Sequence, residues 1–563
     1  MDKELRKKKI LNLPRLYFET IRGLGAEQIF HQIMHRLGPL PFPAPRIDAS
    51  KLRMRLPAPR CERARMQATP KVLGGEFTAW GVTRRLDLRR PWEAPDLGRS
   101  WIYPLHYFDG VPALALSTRD APGGPEAIVA FMEQWIAAHP PGRGVAWDPY
   151  PTALRLVNWA DVLEILGDRV SDAARARIAA SVWTQAAWLN RRLEQHLQGT
   201  HLLKDLKAML LAASMFDDAR AQRWGRRAEA LWRRQIAAQV LGDGSHVECS
   251  VMYHGLALSD VLDVLNWRLG SESLRAETAA IAQRMLDYLA AVQTPAGEYP
   301  LFGDASYDAV PSPRALLVYA GRLGFVVRTP PSGWQLHADA GFAVWRDARQ
   351  YLIAKVGGIG PKQVAAHAHC DAQSYEWHAE GRPIVVDSGV RSYEVGAERF
   401  ASRCTQAHNT VCIDAREQHE IWAAFRIGRR SRVSFAVEDD AVESRLVPWF
   451  DRNLTVVRRF QCGATGIHIQ DQVEGSGTHT IESRIHLHPD CKVRPLPEIR
   501  IEHSGVRAVI HRSTGGINRV SFPASNQSVY CEQLGVQRPN YEALMVRHEP
   551  LPYAAETRLT LEE

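Results

Sequence analysis

The chain has 563 residues, too many for one hydrophobic core, and 45% apolar with 23% charged residues marks a soluble globular protein of two or three domains. A net charge of +8 suits a polyanionic partner, whether nucleic acid, an acidic membrane surface or an acidic polysaccharide. Eight scattered Cys without a CxxC pair argue against a disulfide framework or a Cys-based zinc finger, and no apolar run approaches the length of a membrane span.

The N-terminus is basic but lacks a continuous apolar stretch and a small-residue cleavage site, so no secretory signal is read. A cytoplasmic setting is expected, or a periplasmic one if the chain starts further upstream. Residues 14 to 37 carry an amphipathic helical pattern broken near Gly23 and Gly25. A basic helix of this kind either rests on a membrane or packs on its own domain. A Pro-rich connector follows from Gly38 to Arg60.

From about residue 124 to 326 apolar residues recur at i, i+3 and i+4 in segments separated by short Gly, Asp or Pro turns. Successive helical hairpins of this length predict an α/α toroid or solenoid. Pro330-Pro331 marks a boundary, beyond which the period becomes two. In GIHIQDQV, for example, Ile467, Ile469 and Val473 share a face. Short strands between turns predict an antiparallel β-sandwich. The expected organisation is an N-terminal helix and connector over 1–90, an α/α toroid over 91–328 and an antiparallel β-sandwich over 329–563.

The densest chemistry lies between His367 and Asn409, which offers His367, His369, Asp371, Asp387 and His408. In His-x-His on an extended chain both imidazoles face one side. With a carboxylate and a further His from neighbouring strands they suit a three-ligand, zinc-like site; the same residues also suit the polar lining of a half-buried sheet.

The helical half supplies two more segments. Thr200-His201 opens a helix, where Thr200 is a natural N-cap and the first turn favours an anion. DGSHVECSVMYHGLALSD places Glu248, Tyr253 and His254 after a turn, a setting for acid/base work. In WDPYPTALRLVNWAD, Arg155 suits a carboxylate, Asn158 is an amide donor and Trp159 offers a sugar-stacking face. That segment also reads simply as an amphipathic helix.

HAHCDAQSYEWHAEGRPIVVDSG, AHNTV, DGSHVECSVMYHGLAL, THLLKDLKAML and WIYPLHYFDG together resemble the heparinase II/III family of polysaccharide lyases, over roughly residues 95 to 490. The resemblance implies a helical toroid joined to an antiparallel β-sandwich, an active groove between them, and β-elimination at a uronic acid of an acidic polysaccharide. It casts Tyr253 and His367 as catalytic and His201 as the histidine that binds the uronate carboxylate. It also casts His369 and Asp387 as ligands of a structural metal, usually zinc, with His408 as third ligand and Tyr393 as a second groove tyrosine. Thr200 departs from the pattern, because many members carry Asn there. A hydroxyl donates only one hydrogen bond, so carboxylate neutralisation falls to His201, Arg155 or Asn158.

Elimination requires abstraction of the C5 proton, stabilisation of an enolate-like dianion and protonation of the departing O4. Tyr253 serves as both base and acid if the groups are syn; if anti, His367 is base and Tyr253 acid. Two rivals remain. One is a toroidal glycoside hydrolase using paired carboxylates such as Glu248 and Asp304. The other is a degenerate glycan-binding member acting in exopolysaccharide production. Nucleic-acid binding is disfavoured, since no basic run is interleaved with aromatics in a known module.

Overall fold

The computed structural model describes residues 13–37, 54, 56, 62–87, 92, 96–361, 365–494, 498–512, 519–521 and 528–562. The Pro-rich connector over 38–60 therefore lies outside the described residues apart from 54 and 56. A helix over 13–21 and a second at Ala26–Arg36 replace the single broken helix read from sequence, with the break at Gly23 to Gly25. A hairpin of Glu76–Ala79 and Val82–Arg85 precedes the main helices.

Helices Pro149–Leu166, Gly199–Met215 and Val251–Asn266 are buried along nearly their whole length. Asp172–Asn190, Ala219–Gln239 and Glu272–Val292 alternate with them and keep exposed faces. An inner ring of helices shielded by an outer ring is the toroid expected from the hairpin pattern. Starts and stops follow local chemistry: Ser171, Ser250, Ser271 and Ser312 accept first-turn amides, and Gly324 closes the Pro313–Leu323 helix in the left-handed region. The inner helices also share buried ion pairs, with Lys207 Nζ at 2.7 Å from both Asp260 and Asp263 and Lys204 Nζ at 3.1 Å from Asp260. These polar residues lie inside because an inner helix has no solvent face.

The helical region ends at Leu323 and the first strand of the sheets starts at Gly333. Among the described residues, antiparallel sheets of five, eight and four strands follow, with two two-stranded ladders beside them. In the five-stranded sheet (Gly333–His337, Phe342–Arg346, Gln350–Lys355, Tyr375–Ala379, Arg382–Val385) successive side chains face opposite layers. Phe342, Val344, Tyr351 and Ile353 join the helical core. Ala343, Trp345, Leu352 and Ala354 join a core shared with the other two sheets, with Ile467 and Ile469 from the eight-stranded sheet and Ile485 from the four-stranded one. The period-two pattern thus fixes the sandwich against the toroid, and the site forms along that junction.

Candidate active site

Asp304 lies in the connection between the toroid's last two long helices and is fully buried. His367 Nδ1 lies 2.9 Å from its Oδ2, and His369 Nε2 lies 2.9 Å from its Oδ1. The guanidinium of Arg399, from the Ala397–Arg403 helix, closes on both oxygens, with Nη2 donating at 2.8 Å. Both imidazoles of the His-x-His segment thus reach one carboxylate, although the segment is a loop rather than a strand. Two further constraints hold that loop. The Asp304 amide donates to the His367 carbonyl at 2.9 Å, and Arg403 donates twice to the Ala368 carbonyl at 3.1 and 2.9 Å. Gly303 must be glycine: its φ is +62°, and a Cβ there would lie 2.8 Å from the His367 carbonyl oxygen.

Burial would raise the Asp304 carboxyl, but the charge of Arg399 and the hydrogen bonds of His367 and His369 outweigh it and hold it well below the ordinary range. It is a fixed anion that orients His367 through Nδ1 and leaves Nε2 without a hydrogen-bond partner among the described residues. The ring of Tyr253 stacks on His367 with centroids 3.7 Å apart, and its hydroxyl lies 3.3 Å from that of Tyr393. Burial foremost, then the neighbouring Tyr393 and Asp304, pushes the Tyr253 phenol well above its ordinary value. Tyr253 is therefore protonated in the free protein.

His201 is about one-third exposed, with Nδ1 2.9 Å from Glu194 Oε2 and its ring 4.4 Å from that of Tyr150. Burial disfavours its charge, but Glu194 prevails and raises its pKa. The Thr200 amide donates to Glu248 Oε1 at 3.1 Å, and its hydroxyl lies 3.3 Å from the same oxygen. The anion expected at this helix start is therefore the protein's own Glu248, which leaves neither Glu248 nor Thr200 free for a substrate. The turn leading into it is strained, with Gln198 at φ +59°.

Four expected substrate contacts are not at the groove. Arg155 is fully buried, stacked on Trp135 at 3.7 Å, and donates to Gln185 and the His106 carbonyl. Asn158 is buried and bonded to Tyr107, Asp109 and Arg63. Trp159 is buried against Phe108 and Trp135. His254 is buried with Nε2 3.0 Å from the Met285 carbonyl, and burial pushes its pKa down to about 3. Spacing on a helix cannot distinguish a groove face from an inner face, and for Arg155, Asn158 and Trp159 the plain helical reading is the one the burial supports. Reasoning from sequence missed Arg399, Glu194 and Tyr150. No motif marks them: Arg399 and Tyr150 meet their partners from segments distant in sequence, and Glu194, seven positions before His201, stands in a loop outside any recognised pattern.

The expected metal ligands are brought together differently from a simple triad. The rings of His369 and His408 lie 5.3 Å apart. Asp387 accepts from His408 Nδ1 at 2.9 Å and so sits behind that ring. His369 Nδ1 and His408 Nε2 are buried without a hydrogen-bond partner. Buried orphan nitrogens of this kind fit a cation, and a carboxylate behind a histidine is the usual second layer of such a centre. Burial leaves His369 neutral, with a pKa of about 4; at His408 the charge of Asp387 outweighs burial and raises the pKa. A separate His/Asp group, His488, Asp490 and His503, also brings ligand atoms close together, but Asp490 is already paired with Arg538 at 2.5 Å.

A helical toroid docked on an antiparallel sandwich, with a Tyr–His pair stacked where the two meet, defines a polysaccharide-lyase architecture. The model for the heparinase II/III N-terminus matches residues 120–315, and that for the heparinase II/III-like C-terminal domain matches residues 329–550. The chain belongs to the heparinase II/III family of polysaccharide lyases. Among solved structures it is similar to heparinase III (14% identity, TM-score 0.69, covering 94% of this chain and 88% of that one). It is also similar to a mutant of heparan sulfate lyase HepC from Pedobacter heparinus (17% identity, TM-score 0.59, covering 95% and 88%). No curated protein sequence matches the chain.

Proposed function

We propose that the chain cleaves a uronate-containing acidic polysaccharide or oligosaccharide by β-elimination, with His367 as the base at C5 and Tyr253 as the acid at O4. The observation that carries this assignment is the stacked Tyr253–His367 pair, in which Asp304 holds His367 Nδ1 while Tyr253 stays a phenol. A base with a free Nε2 beside a protonated acid suits the anti arrangement; a tyrosine acting alone would need its phenol lowered, and burial acts the other way. Asp304 and Glu248 are both engaged within the protein, which disfavours the hydrolase reading. The masses of the products distinguish the two. Elimination gives fragments that sum to the mass of the substrate, whereas hydrolysis adds one water per cut.

Neutralising the substrate carboxylate falls to His201, because Thr200, Arg155 and Asn158 are occupied elsewhere. Its imidazole, whose pKa Glu194 raises, complements a uronate once protonated. His201→Gln should lower kcat/KM by about 10²-fold or more. An unchanged kcat/KM would remove His201 from the site.

We infer that His369 and His408 would hold a divalent ion, zinc by the type of donor, with Asp387 orienting His408. When bound it would supply rigidity to the loop that carries His367. Metal content of the purified protein should fall to background in His408→Ala, with a lowered thermal midpoint. Equal metal content and midpoint in wild type and variant would sink the assignment.

A further inference from the structure

The two N-terminal helices turn an apolar face outward. On the body side stand Leu16, 6% exposed, Tyr17, whose ring meets that of Trp422 at 5.0 Å, and several polar groups. Arg15 pairs with Glu420 at 2.7 Å, Trp422 Nε1 donates to Thr20 Oγ1 at 3.2 Å, and Arg234 donates to Glu27 at 2.7 Å. Gln28 is buried, and His35 stacks on His196 with centroids 4.1 Å apart. Apolar groups face out: Phe18 is 63% exposed, Phe30 59%, Ile33 54%, Met34 50% and Leu37 75%. Phe30, Ile33, Met34 and Leu37 stand at i, i+3, i+4 and i+7, so they form one stripe, and Phe18 and Ile21 stand at i and i+3 on the preceding helix. Of 16 exposed large hydrophobics among the described residues, seven fall between Leu13 and Leu37. Leu197, 43% exposed, is the sequence neighbour of His196, which stacks on His35. Such concentration marks an interaction surface rather than the scatter normal for a protein exterior.

We propose that this face docks on an anionic lipid surface. Charge decides among occupants. Arg22 and Arg36 are exposed at the ends of the two helices, and residues 1–9 carry Lys3, Arg6, Lys7, Lys8 and Lys9 against Asp2 and Glu4. An apolar stripe with Arg22 and Arg36 exposed at the ends of its helices, in a stretch of sequence rich in Lys and Arg, matches an interfacial helix on acidic headgroups. A second copy of the chain, paired about a two-fold axis, would bring the same cations face to face and repel. Docking also has a geometric consequence. The helix over 13–21 contacts Glu420 and Trp422 in the strand His419–Ala423. Just beyond that strand, the ring of Phe425 lies 6.4 Å from that of His367. The lipid-bound protein would therefore hold its groove close to the bilayer, where it meets glycan at the membrane surface.

The test is co-sedimentation of the full chain with vesicles of phosphatidylcholine alone or with about 30% phosphatidylglycerol, comparing wild type with the double variant Phe30→Glu/Ile33→Glu. Wild type should bind the anionic vesicles and release as salt rises; the variant should bind about tenfold more weakly or worse. Because both side chains face solvent, the thermal midpoint without lipid should be unchanged. No binding by wild type, or equal binding by the variant, overturns the proposal. So does a midpoint that falls in the variant, which would mean the chain covers this face itself. Light scattering that finds a wild-type dimer split by the variant would assign the face to a second copy instead.

Discussion

Tyr253→Phe is expected to lower kcat by about 10²- to 10⁴-fold, the range of a lost general acid, while leaving the fold intact. The reasoning separates ring from hydroxyl. The ring stacks on His367 at 3.7 Å, and phenylalanine keeps that packing. The hydroxyl has one weak protein contact, 3.3 Å to Tyr393, so its removal should change stability by no more than about 1 kcal/mol. Activity and thermal midpoint must therefore part company in this variant. Tyr393→Phe removes the other half of the same contact and should have a much smaller effect on turnover. Equal losses in the two variants would mean that the tyrosines act as a pair rather than with Tyr253 as the acid.

Arg399→Ala is expected to have the largest effect on stability. It leaves the fully buried Asp304 carboxylate without its guanidinium, and breaking a buried pair in this way costs about 3–5 kcal/mol. The same variant should lose activity, because Asp304 orients His367. The effect has a defined dependence on pH. The carboxyl of Asp304 is depressed in the folded state, so its stabilising contribution is fully present above the unfolded value of about 3.9 and is lost as pH falls through the folded one. The gap in thermal midpoint between wild type and Arg399→Ala should hold at neutral pH and narrow below about pH 4. A gap that is absent at pH 7, or that widens in acid, would show that the pair does not hold this junction.

The contrast between these two residues shows what could be read from sequence. Tyr253 and His367 stand in motifs that local pattern and family resemblance both mark, and the toroid and sandwich followed from a change of period near Pro330. Arg399 stands in an ordinary helical turn and gains its meaning only when the chain brings it to Asp304, 95 positions away. Asp304 enters the sequence reading only as a carboxylate of the rival hydrolase, because its burial and its three partners are not visible in PLFGDAS. Arg155, Asn158, Trp159 and His254 were misplaced for the complementary reason. Inner toroid helices are buried on every side, so polar residues on them satisfy one another and the backbone, and periodicity carries no sign of which side meets the groove. The anion expected at Thr200 was correct in kind and wrong in source, since Glu248 occupies the position.

The central claim is tested most directly by following ultraviolet absorbance while the protein is incubated with a panel of uronate-containing polymers and oligosaccharides, wild type beside Tyr253→Phe. The account predicts rising absorbance from an unsaturated uronate with at least one substrate, reduced to near background in the variant. New reducing ends without that absorbance would contradict elimination. So would tight binding of polymer with no cleavage, and an absorbance rise of equal rate in Tyr253→Phe would contradict the role given to the tyrosine.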